Sequence, residues 1–296
     1  MLNKAASLHK FRLTCNIDLG LLFLNTMING VILPRVVREV DISIFAKWRS
    51  DFFELPTCLL SAENLNVLKL SQGIFIDVRQ LFAESQGFAS RSVACAYNKS
   101  VSKLLQGCTV LEELIVKRTF KDNARNFIVH VPTLKTLNIK VQFDKMSKLR
   151  SKYLTINAPN LEYLEIIDWE SVIHFESVLV SLVEANVCYY GTGLFRMMEA
   201  LCNAKFLHLK WTHYYDFRAL RKDEAFPLFP NLTQLELNFG FDGRDLTPYF
   251  LENSHALEVL VLSKPPYTRT RNKDPESLPP QLREVYVRGF SGLHLS

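Results

Sequence analysis

Residues 158–166 read APNLEYLEI, residues 131–139 read VPTLKTLNI and residues 229–237 read FPNLTQLEL. The apolar letters keep their places while the letters between them change. In the second phrase Leu137 and Ile139 lie two apart and share one face of a strand, while Thr136, Asn138 and Lys140 point to the other. A strand this short cannot bury its face alone. Set side by side at about 4.8 Å, such phrases form a parallel sheet whose leucines line one continuous core, with return segments closing each coil. The constant leucines are then the core, Leu137 and Leu164 among them, and the variable letters are the surface.

Aligning the whole chain on L-x-x-L-x-L, with other apolar residues allowed, gives eleven phrases. They begin at Leu8, Val37, Leu65, Leu111, Leu134, Leu161, Leu182, Ala204, Leu232, Leu257 and Leu282. Nine of the ten spacings lie between 21 and 29 residues, the period of leucine-rich repeats. The expected fold is therefore an α/β leucine-rich-repeat solenoid: a curved parallel sheet of irregular repeats with mixed helical and extended convex segments. Leu65 to Leu111 is 46 residues, twice 23, which predicts a repeat that has lost its signature there; residues 82–100 in this gap read unlike the rest. Residues 101–108, 193–204 and 247–256 read as helical returns, the last with Thr247 as N-cap and Pro248 in the first turn. Residues 127–132 and 153–159 alternate at period two and end in proline, so they read as extended returns. The asparagine usual three residues past the last apolar position is replaced by Gln142, Asp168 and Gly240, so the turn backbone must be satisfied otherwise.

Composition excludes several classes. The chain has 296 residues, 48% apolar and 22% charged, which is ordinary for globular protein and unlike a disordered one. Six cysteines form no C-x-x-C pair and follow no cleavable leader, so they read as thiols in a reduced intracellular setting, cytoplasmic or nuclear. The most apolar early run, Leu19 to Leu33, contains Asn25 and Asn29 and is too short to span a bilayer; it reads as an amphipathic helix. The net charge is +5, and its main cluster, Lys145, Lys148, Arg150 and Lys152, has no aromatic interleaving, so it reads as a solvated loop rather than a nucleic-acid surface.

The repeated phrases, with LHKFRLTC (8–15), LPTCLLSAENLNVLKLS (55–71) and LLQGCTVLEELIVKR (104–118), resemble the plant F-box/FBD/LRR-repeat proteins over nearly the whole chain. In that family an N-terminal F-box docks onto a Skp-type linker of a cullin-based ubiquitin ligase, and the repeats are believed to hold the substrate. The resemblance implies a leucine-rich-repeat domain over 1–276 and, from SLPPQLREVYVRGFSG (277–292), the start of a truncated FBD-like segment over 277–296. Met1 stands seven residues before the first phrase, so the F-box is expected to be missing, and LPTCLL (55–60) reads as a convex return despite its echo of an F-box opening. The resemblance therefore implies the substrate-recognition part of an adaptor, with a Skp-type linker as partner only if an F-box lies upstream. The alternative is a stand-alone interaction protein or a truncated product without ligase function.

Catalytic signatures are missing from the sequence. The seven histidines are scattered, and no phosphate-binding loop, dinucleotide fingerprint or nucleophile elbow occurs, so neither an enzyme nor a cofactor nor a metal is expected. Function then belongs to the solvent face of the sheet, where alternation places Ile115, Lys117 and Lys140, then Tyr163, Glu165 and Ile167, Cys188, then Phe206, His208 and Lys210, and Val261. Ile115, Tyr163, Ile167 and Phe206 form an expected apolar centre on the concave face, rimmed by Lys117, Lys140, Glu165 and Lys210, the anatomy of a site for a protein partner.

Overall fold

The computed structural model describes residues 8–16, 26, 37–45, 53–54, 64–71, 74–75, 102, 105–118, 126–141, 152–168, 171–189, 194–211, 226–239, 246–263 and 278–289. The expectations for 19–33 (Thr26 apart), for 55–60, for 82–100, and for Lys145, Lys148, Arg150, Gln142 and Gly240 fall outside these residues. The chain divides into two compact units, Met1–Ala158 and Pro159–Ser296.

In the first unit the strands are β1 (Lys10–Asn16), β2 (Glu39–Phe45), β3 (Phe53–Glu54), β4 (Val67–Ser71), β5 (Ile74–Phe75), β6 (Glu113–Arg118), β7 (Asn126–His130), β8 (Thr136–Val141) and β9 (Lys152–Asn157). Strands β1, β2, β4, β6 and β8 pair in that order, all parallel, and each is one of the repeated phrases. Strand β4 pairs directly with β6, Leu68 opposite Leu114 and Leu70 opposite Val116. No strand stands between them in this sheet. Behind this sheet the two extended returns are strands, β7 pairing parallel with β9, and the short β3 pairs with β5. Within the 101–108 return, residues 105–107 make a helical turn. Lys152 is buried in β9, a correction to its placement in a solvated loop, because the extended return carries it into the wall of the coil.

In the second unit follow β10 (Tyr163–Asp168), β11 (Ser171–Phe175), β12 (Glu184–Tyr189), helix α1 (Leu194–Leu201), β13 (Phe206–Trp211), β14 (Gln234–Phe239), helix α2 (Thr247–Asn253), β15 (Val259–Ser263) and β16 (Glu284–Arg288). Strands β10, β12, β13, β14, β15 and β16 pair in that order, again all parallel. Strand β16 thus continues the stack. Helix α2 begins after Leu246, whose backbone is αR and makes no side-chain cap; Thr247 is the first helical residue and is buried, which corrects its assignment as N-cap. The helix stands because Pro248 presets its first turn and Phe250 packs edge-on against Phe226, centroids 5.0 Å apart, and beside Phe229 at 5.1 Å.

Register explains the constancy of the leucines. In the second unit Leu164, Ala185, Leu207, Leu235 and Leu260 lie opposite one another in consecutive strands, and Ile166, Val187, Leu209 and Leu237 form the next row. All are buried. Full burial of one such side chain stabilises by about 1.5–3 kcal/mol, so every coil depends on its neighbours.

Two backbone devices do what the missing asparagines would have done. At nearly every strand entrance one carbonyl accepts two successive N–H groups of the next coil: the Glu112 carbonyl takes those of Lys135 and Thr136, that of Val183 takes Lys205 and Phe206, and that of Thr233 takes Glu258 and Val259. Seven phrases also open on a tight turn in which the first apolar residue donates three residues back, Leu134 to Val131, Leu182 to Leu179 and Leu257 to Ser254 among them. Asp168 supplies a third solution, its buried Oδ1 accepting from the Ser171 N–H at 2.9 Å and so turning the chain from β10 into β11.

Candidate functional site

In the first unit the outward strand face is largely self-neutralised. Lys10 Nζ lies 2.7 Å from Glu39 Oε1, Arg12 Nε 2.8 Å from Asp41 Oδ2, and Lys69 Nζ 2.8 Å from Glu113 Oε1, each pair joining neighbouring strands. Such exposed pairs contribute between about zero and 1 kcal/mol, but they leave little free charge to recognise a partner. Between β6 and β8 Lys117 stands opposite Lys140 and Ile115 opposite Asn138. Like charges placed directly opposite oppose strand pairing, and here they sit beside a half-buried isoleucine.

In the second unit the outward residues form three register rows. Tyr163, Glu184, Phe206 and Gln234 make the first; Glu165, Asn186, His208 and Glu236 the second; Ile167, Cys188, Lys210 and Asn238 the third. Tyr163 and Phe206 are separated by β12, two strand spacings or roughly 9.6 Å, with Glu184 between them, so the two rings flank a carboxylate rather than touch. The Tyr163 phenol is held above its usual range first by partial burial and then by the Glu165 and Glu184 carboxylates, so it stays a hydrogen-bond donor at neutral pH. His208 Nδ1 lies 3.8 Å from Glu236 Oε2.

Exposure sorts these residues differently from alternation alone. Phe206 keeps 41% of its surface in solvent, whereas Tyr163 and Ile167 are half-buried. Cys188 and Val261, read as outward from the sequence, are buried at 8% and 4%. Both are short side chains between longer ones, Cys188 between Ile167 and Lys210 and Val261 between Glu236 and Tyr286, which shade them. Sequence reasoning also missed the turn before β12. There Val180 is 68% exposed and Val183 is also exposed, and the Val183 carbonyl accepts from the Phe206 N–H at 3.0 Å, so this turn lies beside Phe206 in the next coil. The apolar surface of the second unit is therefore centred on Phe206 and extends toward the strand entrances. Two exposed valines in a stretch that begins a phrase were the available signal.

Among the described residues no group of three or more His, Cys, Asp or Glu is placed to hold a metal ion, and no helix is long and apolar enough to cross a membrane. Among the described residues Cys15, Cys108, Cys188 and Cys202 form no disulfide, and burial pushes the Cys108 thiol up to about 11.

Parallel strands of L-x-x-L-x-L, one per coil, with an outward face that varies from coil to coil, define a leucine-rich-repeat solenoid. Comparison with known proteins narrows the class. The chain is 27% identical over 236 residues to an F-box/FBD/LRR-repeat protein of Arabidopsis thaliana, covering 77% of this chain and 53% of that protein. It is 33% identical over 164 residues to an FBD-associated F-box protein of the same plant, covering 54% of this chain and 36% of that protein. By these matches the chain is similar to the plant F-box/FBD/LRR-repeat proteins. It spans between 35% and 53% of the length of the first such relatives. No family model and no solved structure matches it.

Proposed function

We infer that this chain is a protein-interaction domain corresponding to the substrate-recognition part of an F-box adaptor of a cullin-type ubiquitin ligase, and that it holds a protein partner on the outward strand face of its second unit. The observation that carries this reading is Phe206, an exposed aromatic ring whose backbone is bonded to the turn that carries exposed Val180 and Val183, with Glu184 opposite it in β12 and Lys205 next to it in the chain. An apolar centre with a charged rim is the usual composition of a recognition surface, and aromatic anchors dominate the energy of such surfaces. Ile115, Lys117 and Lys140 make a smaller outward feature in the first unit. The chain performs no chemistry of its own: ubiquitin transfer belongs to its partners, a Skp-type linker joins only through an F-box, and the setting is cytoplasmic or nuclear. The test begins with proximity labelling in plant cells to identify the partner, followed by affinity measurement with purified proteins. Tyr163→Ala with Phe206→Ala should weaken that affinity at least tenfold without moving the melting curve. Unchanged affinity would move the recognition site off this face. Stoichiometric co-purification of the 296-residue chain with a Skp-type linker would refute the separate proposal that these residues alone do not dock to it.

A further inference from the structure

Strand β16 differs from every other strand of the second unit. Its inward positions, Val285 and Val287, continue the rows of Leu260 and Leu262 yet remain 54% and 55% exposed. Leu282, which opens its phrase, is only half-buried, whereas its counterparts Leu232 and Leu257 are buried, and Leu278 before it is exposed. One edge of β16 pairs with β15; among the described residues no strand pairs with the other. Gly289, just past the end of the strand, has a φ of 70°, a left-handed conformation that suits glycine. A free edge with an apolar face is a template for another strand.

The five residues also say which strand fits. The sequence from 284 to 288 is Glu-Val-Tyr-Val-Arg, a palindrome in shape and an inverted one in charge. Laid antiparallel against its own copy with Tyr286 at the centre, Glu284 faces Arg288 of the copy, Val285 faces Val287, and Tyr286 faces Tyr286. The outward side then carries two opposite-charge pairs around an aromatic pair, and the inward side two valine pairs, each a favourable cross-strand combination. Within one chain this outward side is already arranged as a row, the Tyr286 hydroxyl donating to Glu284 Oε2 at 2.7 Å and the Arg288 guanidinium lying 6.0 Å from the Tyr286 ring centre. Pairing β16 head-to-tail with β1 of another copy is less favourable, since Lys10 and Arg12 are already engaged by Glu39 and Asp41.

We propose that the edge of β16 left unpaired among the described strands is a self-association surface, and that two copies of this chain pair antiparallel through residues 284–288 about a two-fold axis at Tyr286. The two-fold closes the contact, so it gives a dimer and not a fibre. Five residues per copy make a small interface, which belongs with weak, concentration-dependent association. This surface is separate from that around Phe206, and its test does not depend on any partner there.

Sedimentation velocity of the purified chain over a concentration series should show reversible monomer–dimer exchange. Arg288→Glu places like charges opposite each other and should weaken the dimer at least tenfold. The double exchange Glu284→Arg with Arg288→Glu restores complementarity and should restore it. Tyr286→Cys should give an oxidised, covalent dimer, because directly opposed antiparallel residues have Cα atoms about 4.5–5.5 Å apart, within disulfide reach. All these positions are exposed, so the variants should melt as the parent does. A chain that stays monomeric at every concentration, whether because its own following residues cover the edge or because nothing does, would overturn the proposal. So would larger oligomers, a dimer indifferent to Arg288→Glu, or a loss that the double exchange does not rescue.

Discussion

Replacing Leu235 by alanine removes three carbon groups from the middle of a register row, with Leu207 on one side and Leu260 on the other. Leu235 is fully buried and its two neighbours nearly so. At about 0.8 kcal/mol per carbon group the lost transfer energy is about 2.4 kcal/mol. The parallel backbone on both sides is hydrogen-bonded and cannot collapse fully, so a residual void of roughly 40 Å³ adds about 1 kcal/mol at 24 cal/mol per Å³. The expected loss is therefore about 3–4 kcal/mol, felt at the β13–β14 and the β14–β15 interfaces alike. Urea denaturation gives the total, and hydrogen exchange gives its place: amides of β13 to β15 should lose protection together. Phe206→Ala, one strand away on the opposite face, should stay within about 0.5 kcal/mol of the parent. A Leu235→Ala cost below about 1 kcal/mol, or a larger cost for Phe206→Ala, would refute the assignment of faces.

Leu137→Ala and Leu164→Ala, at fully buried positions of their own units, should each cost roughly 2–5 kcal/mol, and an unchanged denaturation midpoint for Leu164→Ala would break the register. Asp168→Ala strands the Ser171 N–H and should cost about 1–3 kcal/mol, whereas Asp168→Asn keeps an acceptor and should cost less; equal losses would remove the hydrogen bond from the explanation. Burial holds the Cys108 thiol protonated up to about 11, so the folded chain binds that proton where the unfolded chain has released it. This contribution to stability is complete below the ordinary thiol value and is lost as pH rises toward 11; Cys108→Ala should flatten that alkaline decline, and an unchanged pH profile would contradict it. In the folded protein at neutral pH, Cys108 should also resist thiol reagents that label the half-exposed Cys15 and Cys202.

The strands and their facing were legible because alternation is a local property: Leu137 and Ile139 point inward in any strand that contains them. Return segments were legible where a local signal existed, as at Pro248 or in the period-two run 127–132. The direct pairing of β4 with β6 was not, since it depends on which strand arrives next in space and not on the number of residues between them. Exposure was the hardest to read. Cys188 and Val261 occupy outward positions by period and are buried by the length of their neighbours, while Val180 and Val183 belong to a turn where period carries no information. The turn chemistry was half legible: the missing asparagines are plain in the sequence, but the carbonyl that takes two N–H groups from the next coil is a product of stacking alone.

The most direct measurement of the central claim, that the leucines build the coils and the letters between them recognise a partner, is the affinity of the identified partner for Tyr163→Ala with Phe206→Ala, taken beside Leu235→Ala. An aromatic anchor worth about 2 kcal/mol predicts a loss of about 30-fold or more in the double variant with its melting curve unmoved, against a large loss of stability for Leu235→Ala. Wild-type affinity in the double variant, with its fold intact, would contradict the account.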